Sequence, residues 1–226
     1  EITDTANMLN LMGAKISGAG ADTIVITGVQ SLHGVEYSPI PDRIEAGTFI
    51  VAAAVAGGDV SVNNIIPSHI SPVTAKVAEA GVSVSVSDNS VRIISDGTLK
   101  PISIKSMPFP GFPTDMQAQM SAMACYADGT SVISETVFEN RFNYCNELMR
   151  MGAKIKVEDR TAIIQGRTLT PACVTACDLR AGAALIIAAL RARGETRISN
   201  IEYIDRGYEN IDKKLRLLGA EIMRIN

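Results

Sequence analysis

The sequence predicts an α/β fold in which one helix–strand–helix–strand–strand unit recurs along the chain. Three observations predict it. Apolar helical runs start at Asp42, Asp115 and Asp178 and end at Gly57, Gly129 and Gly194, offsets of 15, 14 and 16 residues. A strand-like run follows each: DVSVNNI, TSVISETVF and TRISNIEY. A second, amphipathic helix comes next and closes at Gly81, Gly152 and Gly219, which lie 39, 37 and 41 residues after the aspartates. Self-similarity at a fixed spacing is the mark of a repeat architecture.

The elements follow in chain order. Residues 1–29 read as the back half of a further unit, because MGAKI at 12–16 recurs at 151–155 and Ile24-Val25-Ile26 matches Ala162-Ile163-Ile164 at an offset of 138. Gly18-Ala19-Gly20 is its hairpin turn. Residues 30–41 carry two prolines and break the periodicity, so they are expected to be a linker. The first repeat is set at 42–95. Its helix from Asp42 is apolar all round and should be buried. Ser71-Pro72 is expected to start its second helix as N-cap and first-turn proline. VSVSVS alternates with period two, as a half-buried strand does, and Asp88-Asn89-Ser90 turns it into VRIIS. The second repeat, 115–166, is preceded by a short strand in KSMPF. The third, 178–226, is preceded by ACVTAC and reaches only the strand AEIMRI at 220–225. Its return strand is missing, so 220–225 should be an edge, filled by swapping of 1–29 or by a dimer. Asp42, Asp115 and Asp178 are all expected to cap their helices, where a carboxylate meets free N–H groups and the positive end of the dipole.

Composition narrows the function classes. The chain has 226 residues, 46% of them apolar, and a net charge of −3 from 21 basic and 24 acidic side chains. That balance argues against a nucleic-acid binder or a membrane-surface binder, which need clustered Lys and Arg. No apolar run is long enough for a spanning helix. The opening residues EITDTANMLN contain neither a basic nor an apolar leader segment, and without an initial Met the chain is expected to be a piece of a longer protein. Cys173 and Cys177 form C-x3-C, which fits no common zinc spacing, and His33 and His69 are remote from them and expected to be solvated. Cys125 and Cys145 lie in helical runs. Reduced, structural cysteines in a cytoplasmic protein are the expectation.

Arginines 141, 180 and 206 are expected in the first turn of a helix or just ahead of one. The dipole disfavours cations there, so three such placements point to function. A guanidinium offers a planar fork for carboxylate or phosphate. Lys105, Met107 and Met120 read as strand edge and core. No glycine-rich phosphate loop occurs.

Four strings sharpen this reading: PGFPTDMQAQ (110–119), ETVFENRF (135–142), DLRAGAAL (178–185) and IDRGYE (204–209). With the repeated unit, they resemble the enolpyruvyl transferase family, in particular its branch that acts on UDP-N-acetylglucosamine. The resemblance covers the whole chain. It implies an inside-out α/β barrel of βαβαββ units, here three plus a partial one. It also implies transfer of enolpyruvyl from phosphoenolpyruvate to the 3′-hydroxyl of UDP-N-acetylglucosamine, the first committed step of peptidoglycan synthesis. No cofactor, metal, nucleic acid or membrane is implied.

By the same resemblance, Asp115 is the base that takes the hydroxyl proton and contacts the sugar. Capping and catalysis can coexist there, since a carboxylate has about four lone-pair sites. Arg180 and Arg206 are implied to hold phosphoenolpyruvate or its phosphate, and Arg141 to support the site. The backbone at Val137 is implied to touch the nucleotide-sugar. Arg43 is read as structural. The resemblance makes residues 1–29 the end of a first-half domain and 42–226 most of the other. The family's general-acid cysteine loop, and a lysine and an asparagine that contact substrate, belong to the half not seen here, so this segment alone is expected to be inactive. Two alternatives stay open: the shikimate 3-phosphate branch of the family, and a repeat or binding protein without chemistry.

Overall fold

A computed structural model of the chain describes residues 1–225. The chain divides into two compact units, Glu1–Asp42 and Arg43 onward. The first opens with helix α1 (Ile2–Leu11), followed by the antiparallel hairpin of β1 (Lys15–Ser17) and β2 (Val25–Thr27). The Asn10 side chain ties helix to hairpin, donating to Ile16 O and accepting from Ile16 N, both at 2.8 Å. Residues 28–42 have no regular structure and run back over α1. His33 N–H donates to Met12 O at 2.9 Å, and the Tyr37 hydroxyl donates to Asp4 Oδ1 at 2.6 Å. The stretch expected to be a linker therefore belongs to this unit. Ala6 is its one buried apolar side chain, while Val25 and Ile26 are 54% and 68% exposed.

The second unit starts with α2 (Arg43–Ala56), β3 (Gly58–Asn63), α3 (Pro67–Glu79), β4 (Ser83–Val86) and β5 (Ser90–Ser95). Next come β6 (Ser103–Lys105), a 3₁₀ turn (Thr114–Met116), α4 (Gln117–Ala124), β7 (Thr130–Ser134), α5 (Tyr144–Arg150), β8 (Lys154–Glu158) and β9 (Thr161–Gln165). It ends with β10 (Cys173–Thr175), α6 (Leu179–Ala189), β11 (Arg197–Ser199), α7 (Glu202–Asp205) and α8 (Ile211–Leu217). This is an α/β fold in which the same order of elements returns.

The aspartate-led helices form the centre. Alanine and apolar side chains lie on every side of α2 and α6, and α4, built of alanine, methionine, glutamine and serine, is buried along its whole length. The three pack on one another. Each fully buried Ile or Leu among them, such as Ile50, Leu185 and Ile187, contributes roughly 1.5–3 kcal/mol relative to exposure. The sheets pack on these helices: β3-β5-β4, antiparallel, on α2, and β6-β7-β9-β8 on α4. In the second sheet β6 runs parallel to β7 and the rest are antiparallel. Period-two alternation sends Val91 and Ile93 of β5, and Ala162 and Ile164 of β9, into the core. The third sheet is only β10 parallel to β11.

Several expectations are corrected. Helix α3 begins at Pro67, so Ser71 and Pro72 lie inside it. Pro72 has no N–H for the Ser68 carbonyl, and the Ser71 hydroxyl donates there instead at 3.2 Å. His69 therefore sits on a helix, half-buried edge-on to Phe109. Met120 is core, but Met107 is 50% exposed. TRISNIEY is not one strand: Asn200 turns left-handed at φ 58°, and α7 follows. Residues 220–225 form no strand. Side chains hold them: Arg216 Nε donates to Ile222 O at 3.1 Å, and Arg224 pairs with Asp205 and Asp212. Among the described residues, no helix is long and apolar enough to cross a membrane.

Candidate active site

The 3₁₀ turn ahead of α4 decides what Asp115 does. The N–H of Met116 goes to the Pro113 carbonyl at 3.0 Å, and α4 has no side-chain cap at its start. Asp115 is thus not the N-cap expected of it. Its carboxylate faces two guanidinium groups. Oδ1 accepts from Arg141 Nη2 at 2.5 Å and Oδ2 accepts from Arg180 Nη2 at 3.1 Å. Asp178 does cap: its Oδ1 accepts from the backbone N–H of Arg180 and of Ala181, both at 2.8 Å.

Each arginine is held by a further group. Arg141 lies just ahead of α5, stacks on the Phe138 ring at 4.9 Å and donates from Nη1 to Thr114 Oγ1 at 2.8 Å. The Thr114 hydroxyl donates to Glu135 Oε2 at 2.7 Å, and the Ser106 hydroxyl donates to the same oxygen at 3.0 Å. Glu135 Oε1 accepts from the backbone N–H of Val137 and Phe138, at 2.8 and 3.1 Å. This carboxylate, 1% exposed, closes the end of β7 and aims Arg141 through Thr114. Arg180, in the first turn of α6, donates from Nη1 to the Tyr208 hydroxyl at 3.2 Å.

Electrostatics follow the geometry. Burial pushes the Asp115 carboxyl up, but the Arg141 hydrogen bond and the Arg180 charge together outweigh it and leave it below the usual aspartate value. Burial likewise opposes ionisation of Glu135. The hydrogen bonds from Thr114, Val137, Phe138 and Ser106 win and hold its carboxyl low. Burial would pull Arg180 down, yet Tyr208 and Asp115 keep it above its ordinary value.

An open depression of about 250 Å³ lies over this cluster, lined by Asp115, Phe138, Glu139, Arg141 and Asp178 among others. Of the residues expected at a site, Asp115 and Arg141 line it and Arg180 reaches it through Asp115. Val137 is 39% exposed with its N–H bound to Glu135. Arg206 follows the end of α7 rather than leading a helix, because α7 replaces the expected strand. It is exposed, and among the described residues it makes no hydrogen bond or ion pair. Arg43 is half-buried at the head of α2. Sequence reasoning missed Glu135, Thr114 and Tyr208, although all three stand inside the strings quoted above. The available signal was an acidic residue at the end of an apolar strand. Among the described residues, no group of three His, Cys, Asp or Glu could hold a metal ion. The arrangement can bind anions at two guanidiniums and take a proton at the carboxylate between them.

Comparisons with known proteins bear on this cluster. The family described as EPSP synthase (3-phosphoshikimate 1-carboxyvinyltransferase) matches residues 1–215. The chain is 58% identical to UDP-N-acetylglucosamine 1-carboxyvinyltransferase of Desulfofundulus thermocisternus, covering 98% of this chain and 92% of that protein. It is 55% identical to the protein of the same name from Koribacter versatilis, with 100% of this chain and 52% of that one covered. For the Clostridium botulinum protein of that name the identity is 53%, over 99% of this chain and 54% of the relative. The chain thus spans about half the length of the last two. Among solved structures, the enolpyruvyl transferase NikO from Streptomyces tendae is 32% identical with a TM-score of 0.83, over 98% of this chain and 53% of that one. EPSP synthase from Acinetobacter baumannii, 19% identical with a TM-score of 0.72 over 98% of this chain and 55% of that one, shares the fold.

Proposed function

The chain belongs to the enolpyruvyl transferase family, and we infer that it is one part of an enzyme moving enolpyruvyl from phosphoenolpyruvate to the 3′-hydroxyl of UDP-N-acetylglucosamine. The observation that carries this is convergence. Thr114 and Asp115, Glu135 and Arg141, Asp178 and Arg180, and Tyr208 come from four separate strings and join one hydrogen-bonded network. The shikimate 3-phosphate reading is weaker, because the 53–58% identities are to proteins named for the nucleotide-sugar reaction, against 19% for an EPSP synthase.

In this reading Asp115 accepts the proton of the attacking hydroxyl. Its low affinity for a proton in the free chain suits a resting state in which two cations are parked on it. Arg180 and the exposed Arg206 bind the carboxylate and phosphate of phosphoenolpyruvate, and Arg141 supports the site beside them. As these anions share the guanidiniums, the hold of the cations on Asp115 weakens without their leaving it, and its proton affinity rises as the hydroxyl arrives. Preorganised cations stabilise the charge that collects on the departing phosphate. The Val137 backbone borders the nucleotide-sugar. The remaining half in cis supplies the second wall and the general acid. A depression of about 250 Å³ is smaller than the roughly 300–1,000 Å³ of a ligand pocket, which favours a site shared with that half.

Residues 1–29 we read as the end of the first-half domain and 42–226 as most of the other, an inside-out barrel of the repeats 42–95, 115–166 and 178–226. That the first unit buries only Ala6 among its apolar side chains supports its belonging to a larger body. The same reading makes the enzyme cytoplasmic, and its four cysteines are free thiols. The test is phosphate release from phosphoenolpyruvate by the chain completed to its relatives' length. Turnover is expected with UDP-N-acetylglucosamine and not with shikimate 3-phosphate, and none from the segment alone. The reverse preference would overturn the assignment.

A further inference from the structure

We propose that Tyr208, backed by Thr48 and Gln119, is a positioning residue that fixes Arg180 against Asp115 and anchors the turn carrying Arg206. The proposal rests on the reading of Arg180 as a substrate-binding group. Tyr208 is fully buried, and its hydroxyl sits among three polar side chains from three elements. Gln119 Nε2 on α4 donates to it at 3.3 Å, Arg180 Nη1 on α6 donates at 3.2 Å, and Thr48 Oγ1 on α2 lies at 2.9 Å.

The donors and acceptors can be assigned. A guanidinium and an amide nitrogen only donate. The Thr48 hydroxyl gives its proton to the Ile44 carbonyl at 2.8 Å, as helical threonines do. The Tyr208 proton therefore goes to Thr48, and the tyrosine oxygen accepts from both Gln119 and Arg180. With one guanidinium nitrogen fixed on Tyr208 and the other on Asp115, the plane of Arg180 is set, and its face lies 5.9 Å from the Tyr208 ring. Core helices thus orient a group that faces the site.

The turn around Tyr208 is built for this contact. The N–H groups of Gly207 and Tyr208 both reach the Ile204 carbonyl, at 3.2 and 3.0 Å, and close α7. A side chain at Gly207 would collide with Leu179 of α6, and one at Gly182 with Ile204 of α7. Glycine at both places lets the two elements approach until Tyr208 lies under Arg180. Two residues earlier Arg206 is exposed, so one turn buries its anchor and presents its cation.

The test is a double-mutant cycle of Tyr208→Phe and Arg180→Lys in the chain completed to its relatives' length, with kcat, KM for phosphoenolpyruvate and melting temperature measured. Tyr208→Phe alone is expected to lower kcat/KM for phosphoenolpyruvate on the order of tenfold, as for a lost hydrogen bond to a charged group. In the Arg180→Lys background the same change should matter less than about twofold, because the group it positions is gone. Thr48→Val is the second probe should Tyr208→Phe not fold. It should cost a few-fold in kcat/KM, again only when Arg180 is present. Losses that multiply across the cycle would make Tyr208 a core residue and overturn the proposal, as would wild-type kinetics for Tyr208→Phe. Wild-type kinetics for Arg180→Lys would instead overturn the reading beneath it.

Discussion

The Asp115 carboxylate lies 2.5 Å from the Arg141 guanidinium, joining the turn that enters α4 to the loop that leaves β7. Sequence places them 26 residues apart in different strings. The pair changes how each residue is read. Asp115 is not spent on a helix cap, and Arg141 is not a solvated surface charge. Behind the pair stands Glu135, one link away through Thr114.

Glu135 should be the most costly carboxylate of the site to remove. Glu135→Ala strands two hydroxyls and two backbone N–H groups, a loss on the order of 2–3 kcal/mol. Its pH dependence has a definite sign. The folded carboxyl is held below its ordinary value, so the unfolded chain takes up the proton first. The stabilisation is complete above the ordinary glutamate range and is lost as pH falls through the folded-state value. Thermal melts from neutral to acid pH should show a shallower decline for Glu135→Gln than for the natural chain; parallel curves would refute the linkage.

Cysteine reactivity should separate two pairs. Burial pushes the Cys125 and Cys145 thiols up to about 12, whereas Cys173 and Cys177 are exposed. The thiolate is the nucleophile, so the buried pair should be silent toward a disulfide reagent in the native state. Partial burial first, and the nearby Asp178 charge second, raise Cys177, so its thiol should react more slowly than a small free thiol. Native titration should give two equivalents and unfolded titration four. Four fast equivalents in the native state would contradict the burial.

Gly182→Ala should destabilise by about 1–3 kcal/mol, since its methyl group would drive into Ile204 and part α6 from α7. Gly34→Ala, where nothing lies within 4 Å of the added carbon, should stay within about 0.5 kcal/mol. Urea unfolding of both variants gives the comparison. Equal midpoints would remove the steric argument.

How far the sequence was legible depended on whether the signal was local. The buried helices at 43–56 and 179–189 were readable because a mostly apolar run bounded by aspartate and glycine has little choice of environment. The hairpin of β4 and β5 was readable from period two. Asp115 was misjudged as a cap because its partners Arg141 and Arg180 lie 26 and 65 residues away, and periodicity says nothing of them. Arg141 and Arg180 were found from placement and resemblance, while Glu135, Thr114 and Tyr208 gain meaning only once the chain is folded. Residues 220–225 were expected to pair as a strand by analogy with 154–158, but a strand is a property of its neighbours, and here the side chains of Arg216 and Arg224 hold the segment instead. Pro72 misled because the helix found another donor for the Ser68 carbonyl.

The most direct measurement is kcat of Asp115→Asn in the chain completed to its relatives' length, with melting temperature beside it. Asparagine keeps the volume but cannot take the hydroxyl proton, so kcat should fall by about 10²–10⁴. The melting temperature should fall only modestly, through the two half-buried ion pairs the neutral amide gives up and not through a lost cap; Asp178→Ala, which removes a real cap, should cost about 1 kcal/mol. A variant that keeps more than about a tenth of the natural kcat would show that the proton goes elsewhere and that the carboxylate between Arg141 and Arg180 is not the base.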